Sequence, residues 1–144
     1  MKTGLVVGVA GTLLAGCATV GPDLSKDLQP AKGIGDSVEC SGDCETEWQR
    51  AQVWLTRHSR WKLQTATDTT ITTYNPSRHD PSYGFTVVKE PLPQGNSRIT
   101  LDITPCGNIY GCSPEKEEIR KGFLYYVKTG KDLLKGVKTG HAIK

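Results

Sequence analysis

Thiols supply most of the chemistry available to this chain of 144 residues, which contains five cysteines. Cys17 stands alone where an uncharged run from Gly4 to Gly16 stops. The other four fall in two close pairs, with three residues between Cys40 and Cys44 and five between Cys106 and Cys112. Such thiols either oxidise to disulfides or, in knuckle-like turns, hold zinc as thiolates. The compartment decides between these outcomes, and Cys17 bears on the compartment.

Met1-Lys2 supplies a positive end, and the 13 residues Gly4–Gly16 that follow are apolar or small. As a helix they would reach about 20 Å, short of the roughly 30 Å of a bilayer's hydrocarbon core, so they are not read as a membrane span. The segment resembles a bacterial lipoprotein signal peptide, with Leu14-Ala15-Gly16-Cys17 matching the lipobox. The resemblance implies cleavage after Gly16, a diacylglycerol on the Cys17 sulfur and acylation of the new amino group. Ala18 follows instead of an inner-membrane retention Asp, which implies the outer membrane, facing the periplasm. An ordinary secretory signal cut after Ala15 or Gly16 is the alternative.

Export makes the four remaining thiols an even set in an oxidising space, the pattern of two disulfides. Three pairings are open. The local bridges Cys40–Cys44 and Cys106–Cys112 close most easily and would contribute roughly 2 kcal/mol each, against about 4 kcal/mol for a long bridge such as Cys40–Cys106. Ease of closure favours the local set and stability the long one. Zinc is disfavoured, because the second spacing is wide for a ribbon and the thiols would oxidise.

Other reactive side chains are less telling. Ser77, His79, Asp80 and Ser82 crowd one Pro-flanked stretch. A hydrolytic triad needs its base held by distant, rigid parts of a fold, so these neighbours are read as turn residues and Arg78-His79-Asp80 as a recognition loop. Ser59-Arg60-Trp61-Lys62 fits S-x-x-K, and Lys-Thr-Gly occurs at 128–130 and 138–140, as in penicillin-binding proteins and β-lactamases. Those enzymes need a much larger domain and a Ser-Asp-Asn that this chain lacks between the two motifs. His58 is placed to favour the negative end of a helix. Trp48, Trp54 and Trp61 could stack on sugars, but their spacing fits a core better. With no glycine-rich phosphate loop and no HExxH, no catalytic set, cofactor or metal is expected.

Cleavage would leave 128 residues, Cys17–Lys144, and would take the formal charge from +3 to +2 by removing Lys2. That length suits one domain with a modest core. The near-balanced charge and the export signal both speak against a nucleic-acid partner.

Residues 17–36, with Gly21, Pro22, Pro30, Gly33 and Gly35, are read as the lipidated Cys17 and a flexible tether. Ser37–Cys40 is a short strand candidate. Residues 45–58 read as a helix led by Glu45 and Glu47, with Trp48, Ala51, Leu55 and His58 on one face, widened by Val53 and Trp54. Four strand candidates follow: Trp61–Thr67, Thr69–Tyr74, Tyr83–Val87 and Arg98–Ile103. Residues 75–82 and 90–96 are read as loops. A second helix is expected with Ser113 as cap, Pro114 at its first position, a buried face of Ile119, Phe123, Tyr126 and Val127, and Gly130 as stop.

This order predicts an α+β domain over 37–130, an antiparallel sheet of four to five strands with two helices on one face. From Cys44 to Val127, the Trp-rich helix 48–54 followed by the run of strands resembles a small family of uncharacterised envelope lipoproteins with a fold like half of the TATA-box-binding protein. The resemblance implies no catalytic residue. Residues 131–144 are read as a solvated basic tail whose Lys131, Lys135 and Lys138 could touch anionic envelope material, and trimming after Gly130 is expected to spare the fold. The function expected is therefore a non-enzymatic outer-membrane lipoprotein whose periplasmic domain binds an envelope protein or peptidoglycan. The alternative is an enzyme acting on peptidoglycan or an inhibitor of an envelope enzyme.

Overall fold

A computed structural model describes residues 23–42, 44–107 and 111–142. Cys17, its lipobox and the first part of the expected tether lie outside the described residues. The fold is α+β. Five antiparallel strands form one sheet in the order β1-β5-β4-β3-β2: β1 is Ser37–Cys40, β2 Leu63–Ala66, β3 Thr70–Thr73, β4 Gly84–Pro91 and β5 Ser97–Thr104. Helix α1 is Glu45–His58 and α2 is Lys116–Thr129. The two-residue strands β6, Cys112–Ser113, and β7, His141–Ala142, pair separately.

The register places Ile71 opposite Val87 and Val87 opposite Leu101, while Phe85 faces Ile103 and Val38 faces Ile99. Because side chains alternate along a strand, these residues share one face. All are buried against the helices. From α1, Trp54 meets Phe123 of α2 and Phe85 of β4 edge-on, with centroids 5.3 and 6.3 Å apart. That arrangement suits ring quadrupoles and ties both helices to the sheet. The α1 face contains Trp48, Ala51, Trp54, Leu55 and His58, but Val53 is exposed. On α2 the predicted Ile119, Phe123, Tyr126 and Val127 are buried.

Several expectations need correction. The expected tether is folded from Leu24 onward: Leu24, Leu28 and Ala31 are buried, and a 3-10 turn over Gln29–Ala31 packs on α2. Leu24 and Leu28 are four apart, so one helical turn puts both against the core. Strand β2 starts at Leu63, and a register shift between Leu63 and Thr65 breaks the expected alternation. Glu90 and Pro91 extend β4 instead of opening a loop. Ser113 lies in β6, and α2 is capped by Glu115, whose capping box with Glu118 starts the helix two residues after Pro114.

The largest correction concerns residues 131–144. Leu134 is buried against α2 at Gly122, where an added Cβ would lie 2.5 Å from Leu134 Cδ1. Thr139 is fully buried, and its backbone N–H and hydroxyl both donate to His58 O, at 3.1 and 3.0 Å. Gly140 N donates to Ser113 O, and β7 then pairs with β6. Residues 131–142 are part of the domain, because Leu134 fills the space that the missing side chain of Gly122 leaves.

Both disulfides are local. Cys40–Cys44 joins the end of β1 to the start of α1, and Cys106–Cys112 joins the segment after β5 to β6, ahead of α2. Beside the second bridge, the Tyr83 hydroxyl reaches Cys112 O and Pro114 O, both at 3.1 Å. Burial, with Glu115 and Glu118 adding negative charge, pushes the phenol up from 10.0 to about 12. Because the folded value is raised, this stability is present below the unfolded value and is lost as pH rises through the folded one. Urea unfolding should show stability falling between pH 10 and about 12. Tyr83→Phe should flatten that decline while lowering stability at neutral pH. An unchanged slope in the variant would contradict the assignment.

Candidate functional site

The ends of α1 and α2 meet the C-terminal segment in a cleft of about 570 Å³, lined by Arg57, His58, Tyr126, Gly130, Asp132, Lys135, Gly136, Val137 and Lys138. His58 is only 2% exposed and stacks on Trp54 at 4.4 Å. Its Nδ1 lies 2.8 Å from Val137 O, and its Nε2 lies 3.0 Å from Asp132 Oδ2. A carbonyl can only accept, so Nδ1 donates to Val137 O, and Nε2 faces the Asp132 carboxylate. Both ring nitrogens are therefore committed to residues 132 and 137. His58 holds the C-terminal segment onto α1 and has no nitrogen left to move a proton for a ligand.

Two helix C-termini bring partial negative charge to this place, which by itself would repel anions. Cations compensate both. Arg50 Nη1 donates to Val127 O at 3.1 Å and Lys128 O at 3.2 Å at the end of α2. The Lys138 ammonium donates to Arg57 O at the end of α1. Gly130 takes the left-handed cap position, φ 75°, and its N–H closes on Tyr126 O at 2.7 Å. With the helix ends compensated, Arg57 and Lys135 outweigh the one carboxylate of the lining, Asp132, and give the cleft a positive balance. Arg57 Nη1 donates to the Tyr126 hydroxyl at 3.4 Å, so that oxygen serves as acceptor and its own proton is free to be donated.

The site residues expected from sequence are dispersed. Lys135 and Lys138 line the cleft, whereas Lys131 is exposed outside its lining. Arg78, His79 and Asp80 form a turn elsewhere, closed by Asp80 N on Ser77 O and by Gly107 N on Asp80 O. Asp80 Oδ1 accepts from the backbone N–H and the hydroxyl of Ser82, so this oxygen holds its own loop. Ser59 is buried and bonds the backbone of Trp61 in both directions, the use of a turn residue and not of a nucleophile. Trp48 and Trp54 are buried and offer no sugar platform, while Trp61 is half-buried. The indole N–H groups of Trp54 and Trp61 find no acceptor among the described residues.

Sequence reasoning missed the pairing of His58 with Asp132. One signal was present: Leu133, Leu134 and Val137 form a helix-spaced apolar set among the lysines. Among the described residues no group of three His, Cys, Asp or Glu is placed to hold a metal, and no helix is long and apolar enough to cross a membrane. Comparison with protein-family models, with curated proteins and with solved structures gives no match for this chain.

Proposed function

We propose that this protein is an outer-membrane lipoprotein, anchored through Cys17, that works by binding an envelope partner and carries no catalysis of its own. The lipobox supports the anchor. The observation that carries the binding reading is the cleft, where Arg57 and Lys135 face an opening whose floor is fixed by the clasp of His58 on Asp132. A histidine with both nitrogens engaged by its own chain suits a rigid binding floor better than an acid–base catalyst. The partner class that fits is an anionic component of the envelope.

Arg57 and Lys135 are exposed, but Arg57 also bonds the Tyr126 hydroxyl and lies in the last turn of α1, so reversing both charges should cost about 1–2 kcal/mol and leave the domain folded. Replacing both by Glu is expected to weaken retention of the lipid-free protein on purified peptidoglycan sacculi about tenfold at low ionic strength, with the difference shrinking as salt is added. Co-sedimentation of the folded variant at wild-type levels would remove the cleft from the binding function.

A further inference from the structure

Little slack separates the proposed anchor from the folded body. Cys17 and Leu24 are seven positions apart, so the chain between them spans at most about 25 Å. Because Leu24, Leu28 and Ala31 are packed in the domain, no later residue adds reach. The polar zone of the bilayer takes up about 5–8 Å of this length. A body of about 120 residues has a radius of gyration near 13 to 14 Å and is therefore about 35 Å across, more than the roughly 17–20 Å of slack that remains.

The segment that leads to the anchor sits on one half of α2. Ser25, Leu28, Gln29 and Lys32 share a hollow with Glu118 and Lys121. The cleft lies at the other end of the same helix, at Tyr126 and Gly130. From Glu118 to Gly130 the helical rise amounts to about 18 Å. Charge differs between the two ends. Around the entry of the chain, Lys26, Lys32 and Lys121 are balanced by Asp23, Asp27 and Glu118, so that surface tolerates a bilayer without being repelled by it. At the cleft end Arg57, Lys135 and Lys138 outnumber Asp132.

We infer that the anchored domain lies against its own membrane on the side of residues 24–32 and turns its basic cleft outward, toward a carboxylate-bearing polymer of the cell wall. This rests on the lipid-anchor reading above. The donor set suits a carboxylate: Arg57, with N–H groups beyond the one that Tyr126 accepts, the Tyr126 hydroxyl and Lys135 line one opening. A headgroup of the same bilayer could reach these donors only if the domain lay over on its side.

The test uses the mature protein purified from membranes and reconstituted in vesicles, with and without an anionic phospholipid. A water-soluble acetylating reagent reads the reactivity of each lysine, and mass spectrometry of the same sample reads the lipid on Cys17. Lys26 and Lys32 should be shielded by the bilayer. Lys135 should react alike in both vesicle types, and should react about tenfold more slowly when muropeptides with free stem-peptide carboxylates are added at ten times their dissociation constant. Shielding of Lys135 by anionic vesicles alone would overturn the inference in favour of a headgroup. Lack of protection by muropeptides would overturn the ligand class. A Cys17 without lipid would instead defeat the anchor reading, whatever the lysines report.

Discussion

Ending the chain at Gly130 is expected to remove at least about 3 kcal/mol of stability, and with it most of the cooperative fold. The cut deletes Leu134, a fully buried side chain seated on Gly122, and loss of a buried leucine costs about 2–5 kcal/mol. It also strips both partners from His58, which is 2% exposed, and an unpaired buried polar group costs about 1–3 kcal/mol more. Against a domain stability of roughly 5–15 kcal/mol, this decides whether the chain folds. Tryptophan fluorescence during urea unfolding reads it directly, because Trp54 stacks on His58. A truncated protein with the full-length midpoint would restore the reading of residues 131–144 as a solvated tail.

Gly140→Ala should be nearly as damaging, from a single methyl group. Gly140 has φ 89°, a conformation that costs an L-residue about 1–2 kcal/mol. The added Cβ would lie 2.3 Å from Ser82 Cα and 2.6 Å from Pro81 O. Both are main-chain positions that cannot swing aside, and overpacking of this kind costs about 1–3 kcal/mol. A loss of about 3 kcal/mol is therefore expected, with β7 detached from β6, measured by urea unfolding and by hydrogen exchange at Cys112 and Ser113. Gly136→Ala is the control, since φ is also positive there, 81°, but nothing lies within 4 Å of the added atom. If the two variants lose the same stability, the close approach of Gly140 to Ser82 contributes nothing.

The parts of the fold legible in the sequence were those with local causes. Helix α1 is bounded by Glu45 and His58 with no Gly or Pro between, and β5 alternates Ile99, Leu101 and Ile103 with polar residues. Short disulfide loops were among the readable pairings. The start of α2 was misplaced because Ser113 and Pro114 look like a cap and first turn, while Glu115 and Glu118 cap each other two residues later. The segments at both ends were misread for a common reason. Leu24 with Leu28, and Leu133, Leu134 and Val137, are short apolar sets of two or three among glycines, prolines and lysines, too brief to stand out as elements of their own. The cleft was hidden for the same reason, since His58 and Asp132 are 74 residues apart and nothing local pairs them. Gly122 inside the apolar face of α2 was the clue, a gap in one element that another must fill.

The measurement that bears most directly on the central claim is amide chemical-shift mapping of the soluble mature chain carrying Cys17→Ser, titrated with muropeptides at low salt. A binding cleft at the helix ends predicts shifts confined to Arg57, Tyr126, Gly130 and residues 132–138, lost when Arg57 and Lys135 are replaced by Glu. Shifts centred on the Arg78-His79-Asp80 turn, or none at saturating concentration, would contradict it.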